Sequence, residues 1–138
     1  MKKVLWLGMA FTLMLALCSC TLSGGEQYNN FIDDLDVITR LETALQQQKD
    51  GGMSLYVAAD METLEDDLST LKTANEELLR INEKFVEATR LLRESQRSAA
   101  EEDWDASKLS YLKAKARFDA GTRLLYSLPM SEGGAANE

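Results

Sequence analysis

The chain has 138 residues, about the size of one domain, and 45% of them are hydrophobic while 28% are charged. This composition is typical of a folded protein rather than of a disordered or collagen-like one. The sequence contains no histidine, and its two cysteines, Cys18 and Cys20, lie within the first twenty residues. The rest of the chain therefore lacks the residues for a zinc site, a disulfide or a Ser-His-Asp triad, and we predict a non-enzymatic protein without metal or cofactor.

The amino terminus has the pattern of an export signal. Lys2 and Lys3 precede an uncharged apolar run over residues 4–17. As a helix this run would be about 21 Å long, which is short of the roughly 30 Å hydrocarbon core of a bilayer. A basic start followed by a short apolar run is typical of a cleaved signal peptide. A short membrane helix and a buried core helix are the alternatives.

The apolar run ends in Leu17-Cys18-Ser19-Cys20, which resembles the lipobox of bacterial lipoproteins. The small residue that this motif places directly before the modified cysteine is Ser19, whereas Cys18 follows the bulky Leu17. The resemblance implies signal cleavage after Ser19 and lipidation of Cys20, and two or three acyl chains suffice for stable anchoring. Because Thr21 rather than aspartate follows Cys20, the resemblance implies the outer membrane where the host has two membranes, with the protein facing the periplasm or the cell surface.

Cleavage would leave a strongly acidic chain that divides into three parts. Loss of Lys2 and Lys3 reduces the 15 basic residues to 13 against 23 acidic ones, so the formal net charge changes from −8 to −10. A charge of this sign argues against nucleic acid as a partner. We predict a lipidated cysteine and flexible tether over residues 20–27, a helical domain over 28–128 and a disordered tail over 129–138.

The first and last helices are predicted from apolar residues spaced three and four positions apart. The first helix covers residues 28–49 and is ended by Gly51 and Gly52. The last helix covers about 103–128, after a turn at 101–103. We expect one stripe of the last helix to pack on the helix before it; that stripe is Trp104, Tyr111, Phe118 and Leu125, and the expected partners are Phe85, Leu92 and Ala99.

The middle of the chain is predicted to be one long helix. No glycine or proline interrupts residues 54–100, and the apolar residues keep one seven-residue phase. Against continuity, Thr73-Ala74-Asn75-Glu76 has the form of a capping box, which marks a helix start. The predicted fold class is therefore all-α, a three-helix antiparallel bundle with a long central helix, or four helices if that helix breaks near Thr73.

The charged residues offer two candidate features. Runs of carboxylates, such as the run over residues 60–67, are predicted to be solvated helix faces. The basic residues are predicted either to pair within the chain, with Glu83 and Glu87 at helical spacing, or to form a patch for anionic head groups, cell-wall polymer or an acidic partner. The candidate patch consists of Arg90, Arg93, Arg97, Lys108, Lys113, Lys115, Arg117 and Arg123.

A second, weaker resemblance covers residues 91–114. Large, small and aromatic residues fall there where a tetratricopeptide hairpin favours them: Leu91, Ser95, Trp104, Ser107, Tyr111 and Ala114. Asp119 stands where that repeat has its closing proline, and the chain has no second copy. Any tight helical hairpin needs the same alternation of small and large residues, which is the alternative interpretation.

These features predict a lipid-anchored protein of the bacterial envelope. Without a catalytic set, the helical domain is expected to be a binding or scaffold module that docks a protein partner. A carrier or sensor of an apolar ligand, held between the helices, is the alternative.

Overall fold

The computed structural model describes residues 24–129, and this part of the chain is all-α, as predicted. It contains five helices and no strand: α1 Gly24–Asp34, α2 Val37–Lys49, α3 Leu55–Ser69, α4 Glu76–Ala100 and α5 Trp104–Ser127. The prediction of three or four helices is therefore wrong in number. None of the five is both long and apolar enough to cross a membrane. The predicted signal peptide, Cys20 and the tail from Met130 lie outside the described residues.

The predicted first helix is two helices. It begins at Gly24, within the predicted tether, and is interrupted at Leu35 and Asp36. Asp36 has a φ of 49° and a ψ of 40°, the left-handed conformation that aspartate adopts more readily than most residues. The apolar spacing did not reveal this interruption because Ile32 and Val37, on either side of it, are both buried.

The predicted continuous central helix is also two helices, separated by residues 70–75. The side-chain oxygen of Asn75 accepts the backbone N–H groups of Glu77 and Leu78 there, at 3.0 and 3.3 Å, which caps α4. The Thr73 hydroxyl accepts the N–H of Asn75 at 3.1 Å. The capping signal in the sequence was therefore correctly placed, although the cap is Asn75 and not Thr73. The apolar phase continues across the break because Leu68 and Leu78 are both buried.

The last two helices form a tight antiparallel hairpin around the turn at residues 101–103. Ser95 of α4 contacts Ser107 of α5, and ten residues further from the turn Phe85 faces Phe118, with ring centroids 6.4 Å apart. Close approach is possible because α5 carries a glycine beside Phe85. A Cβ on Gly121 would lie 3.0 Å from the Cε1 atom of Phe85.

The predicted stripe of the last helix is only partly in the core. Phe118 and Leu125 are buried and Tyr111 is half-buried, whereas Trp104 is 64% exposed. The prediction that Trp104 packs in the core is wrong. Trp104 is the first residue of α5 and lies beside the turn, where α4 has already ended at Ala100.

Polar side chains fix α1 and α2 against the hairpin. The Tyr28 hydroxyl of α1 donates to Oδ1 of Asn82 at 3.4 Å, and Nδ2 of Asn82 donates to the carbonyl of Leu68 at 2.8 Å. Nε2 of Gln48 in α2 donates to the hydroxyl of Ser95 at 2.8 Å. Because these groups lie in or beside the core, their hydrogen bonds specify how the helices are arranged.

The beginning of the described chain lies at one end of the molecule. Gly24 lies beside Asn75 and Leu78, where α4 begins. The turn at 101–103 lies at the other end of α4, which has 25 residues and is therefore about 37 Å long. We call the end of the molecule at Gly24 the amino-terminal end, and the end at residues 101–103 the turn end.

Candidate interaction surface

The candidate site is the side of α5 that faces away from the hairpin. At 100° per residue, Leu109, Leu112 and Ala116 fall on the opposite side of the helix from its buried residues. Leu109 is 54% exposed, Leu112 is 51% exposed and Ala116 is also exposed. The buried residues of α5 are Ser107, Ala114, Phe118, Gly121 and Leu125.

Lysines lie on both sides of the apolar seam that Leu109, Leu112 and Ala116 form. The 3–4 spacing of Leu109, Leu112 and Ala116 is that of the a and d positions of a coiled coil, which places Lys108 and Lys115 at g positions and Lys113 at an e position. All three lysines are exposed. We refer to these six residues together as the outer face of α5.

Two of the three lysines have no ion pair within residues 24–129; these are Lys108 and Lys113. The third, Lys115, has its Nζ 2.7 Å from a carboxylate oxygen of Asp119, one turn further along α5. That hydrogen bond raises the pKa of Lys115 above its ordinary value. The outer face of α5 is therefore basic, with charges available to an incoming partner.

The outer face continues into an open groove at the turn end. The groove has a volume of about 370 Å³, and its lining includes Trp104, Lys108, Leu112 and, from α2, Lys49. The exposed ring of Trp104 is thus adjacent to the seam. A largely apolar surface with two lysines at its edge suits a ligand that is itself apolar in the middle and acidic at its margin.

Two of the three arginines predicted for the basic patch on α4 are instead paired with α3. Arg90 donates to Glu65 at 3.0 Å, and Arg93 donates to Glu65 at 2.7 Å and to Glu62 at 3.3 Å. Arg97 is exposed and has no ion pair in the described part of the chain. Pairing within the chain was one of the two predicted interpretations, but the carboxylates come from the neighbouring helix and not from one turn earlier on α4.

The remaining predicted residues lie on α5. The Nε atom of Arg117 lies 2.8 Å from Oε2 of Glu87, which links α5 to α4, and Arg123 is exposed. Arg117 and Lys113 also line an open groove of about 450 Å³ between the two helices. The structure therefore divides the eight predicted residues into three groups: the cross-helix pairs of Arg90, Arg93 and Arg117, the lysines of the outer face, and the exposed Arg97 and Arg123, which belong to neither.

Several of the clustered carboxylates have structural partners rather than only solvent. Arg40 of α2 donates two side-chain hydrogen bonds to Asp60 of α3, of 2.8 and 3.1 Å. Glu62 and Glu65 of α3 pair with the arginines of α4 described above. Within residues 24–129 no group of three acidic, cysteine or histidine residues is placed to hold a metal ion. These carboxylates thus align α3 between its neighbours.

The apolar half of the candidate surface was missed by the sequence reasoning, which singled out only its lysines. The signal was present, because Leu109, Leu112 and Ala116 repeat at 3–4 spacing out of phase with the core stripe. Comparison with known proteins adds no assignment: no protein-family model, curated protein or solved structure matches this chain.

Proposed function

We propose that this protein is a lipid-anchored, non-enzymatic module of the bacterial envelope that docks a protein partner through its helical domain. The observation that supports docking is the outer face of α5, where half-exposed Leu109 and Leu112 lie between exposed lysines. The antiparallel arrangement of the helices behind this face provides a rigid platform. Leucines exposed together on a helix surface are typical of a partner site.

The position of the amino terminus supports the same proposal. Cys20 is four residues before Gly24, so at most about 14 Å of chain joins the proposed lipid to α1. Gly24 lies at the amino-terminal end, whereas Trp104 lies at the turn end, roughly the length of α4 away. A partner at the turn end would therefore meet the part of the domain that is farthest from the anchor.

The alternative role, a carrier of an apolar ligand between the helices, has less support. The centre of the helical domain is filled by side chains, among them Phe85, Leu92 and Met61, which are fully buried. The grooves described above open to solvent.

Site-specific photo-crosslinking in living cells tests docking. A photoreactive amino acid at Leu112 is expected to capture a protein of the envelope, because this position lies at the centre of the outer face. The matched control is Thr63, which is exposed on α3, outside the outer face of α5. A protein captured equally from both positions, or from neither, would contradict docking through α5.

Metabolic labelling with palmitate tests the anchor. Replacing the proposed lipidated residue, Cys20→Ser, is expected to abolish labelling and leave an uncleaved precursor. The matched control Cys18→Ser should be labelled and processed like the parent, since Ser19 still precedes an intact Cys20. Label that persists in Cys20→Ser would refute the assignment.

A further inference from the structure

We propose that the outer face of α5 binds an amphipathic helix with apolar residues at heptad spacing and acidic residues on both flanks. This inference rests on the proposed docking function and adds the chemical class of the partner. The apolar seam is the reason to expect apolar residues at heptad spacing in the partner. Leu109 and Leu112 offer side chains to a partner helix, and Ala116 lets its backbone approach closely.

The charges that flank the seam are the reason to expect acidic residues on both flanks of the partner. Residues at e and g positions of one helix face the e and g positions of its partner, and their charges select which partner binds. On α5 these positions are Lys108, Lys113 and Lys115. An acidic side chain opposite each lysine would form an ion pair, and Lys108 and Lys113 would give up no ion pair in the described part of the chain to do so.

The same lysines argue against a second copy of this chain on the outer face. In a symmetric pairing of two such faces, lysines would lie opposite lysines whether the helices ran parallel or antiparallel. Like charges in register are destabilising and exclude that partner. The basic face is also local, because the chain as a whole has 23 acidic residues against 15 basic ones.

The composition of the outer face favours an acidic protein helix over an anionic bilayer. The apolar residues are confined to the half of α5 near the turn end. A short apolar seam between charged residues fits another helix better than it fits a membrane surface.

Binding of two synthetic peptides to the full-length lipidated protein in detergent micelles tests the proposal. Both peptides carry leucine at every a and d position; one has glutamate at all e and g positions and the other has lysine. Trp104 is the only tryptophan after signal cleavage and lies beside the outer face, so its emission reports binding directly. The glutamate peptide is expected to bind about tenfold or more tightly than the lysine peptide, with an affinity that falls as salt is added.

Charge reversal supplies the decisive comparison. The double substitution Lys108→Glu and Lys113→Glu should reverse the preference between the peptides, while Leu112→Ser should weaken both. Arg97→Glu is the matched control, since Arg97 is exposed on α4, lies outside the outer face and has no ion pair within residues 24–129. Its reversal should leave the preference unchanged. Circular dichroism verifies that each variant is folded. Equal binding of the two peptides, or a double variant that keeps the parental preference, would overturn the proposal.

Two further outcomes would replace it with another occupant. Quenching of Trp104 by brominated phosphatidylglycerol, after reconstitution into vesicles, would assign the face to the membrane. A dimer in detergent that Leu112→Ser converts to monomer would assign it to a second copy. If Leu112 crosslinks to a protein in cells but the two peptides bind with equal affinity, the docking function stands and the proposal of an acidic partner helix is wrong. If Leu112 crosslinks to nothing, docking itself fails.

Discussion

The ring of Phe118 joins α5 to α4 in the core of the hairpin. It is buried against the fully buried ring of Phe85, at a centroid separation of 6.4 Å and an interplanar angle of 55°. Phe118→Ala removes this contact and leaves a cavity, so we expect the free energy of unfolding to fall by about 3–5 kcal/mol. Urea denaturation measures the loss.

Lys115→Ala is the control for that measurement, because Lys115 is exposed and pairs only along its own helix with Asp119. Its removal should barely change the urea midpoint. If Phe118→Ala unfolds like the parent, the stripe of the last helix is not part of the core.

Tyr28 is expected to make the domain less stable as the pH rises into the alkaline range. Burial raises the pKa of its phenol above the ordinary value of 10.0. Above about pH 10 the unfolded chain therefore loses this proton while the folded chain retains it, and the free energy of unfolding falls by up to about 1.4 kcal/mol per pH unit. Below that pH the buried neutral phenol contributes its full stabilisation.

Comparison with Tyr28→Phe isolates this effect from the other groups that titrate at high pH. At about pH 8 the variant should be less stable by about 1 kcal/mol, because the hydrogen bond to Asn82 is lost. At about pH 11 the difference should shrink or reverse, since phenylalanine does not ionise. A difference in urea midpoint that stays constant between these pH values would show that the phenol is not buried.

The helices themselves were predicted well where they end at a strong local signal and poorly where they do not. The end of α5 agrees with the structure because Pro129 cannot continue a helix, and the turn at 101–103 agrees where Asp103 caps α5 by accepting the N–H of Ala106. The break at Leu35 and Asp36 contains neither glycine nor proline, so no strong local signal marks the φ of 49° at Asp36. At residues 70–75 the unbroken seven-residue phase of the apolar residues favoured a continuous helix over the break that the capping signal indicated. Such a phase also continues when two helices fold back on each other, so it does not exclude a break.

The cap of α4 can be assigned by mutation. Asn75 accepts the N–H groups of both Glu77 and Leu78, so Asn75→Ala should lower the free energy of unfolding by about 0.5–2 kcal/mol. Thr73→Ala should cost less, because Thr73 accepts only the N–H of Asn75, which precedes the helix. Chemical denaturation of the two variants decides between them, and a larger loss for Thr73→Ala would show that the cap is the one expected from the sequence.

At the scale of the whole molecule, the sequence identified the basic residues of the candidate site but not their grouping. The pairs of Arg90 and Arg93 with Glu65 join positions 25 and 28 residues apart, and they form only because the chain turns back at 70–75. Spacing along one helix does not reveal such partners. The outer face of α5 needed no tertiary information, since its apolar and basic residues all lie on a single helix.

The helical domain as a whole is expected to fold without metal or oxidant. Residues 21–138 contain neither cysteine nor histidine, and the links between helices are apolar contacts, ion pairs such as Arg40 with Asp60, and hydrogen bonds such as Gln48 with Ser95. This fragment should therefore give a strongly helical circular dichroism spectrum and one cooperative thermal transition, both unchanged by a chelator. The Phe118→Ala variant of the same fragment provides the comparison, with a transition at lower temperature. A helical signal that collapsed with the chelator would mean that clustered carboxylates hold a structural cation, and the packing described for α3 between α2 and α4 would then be incomplete.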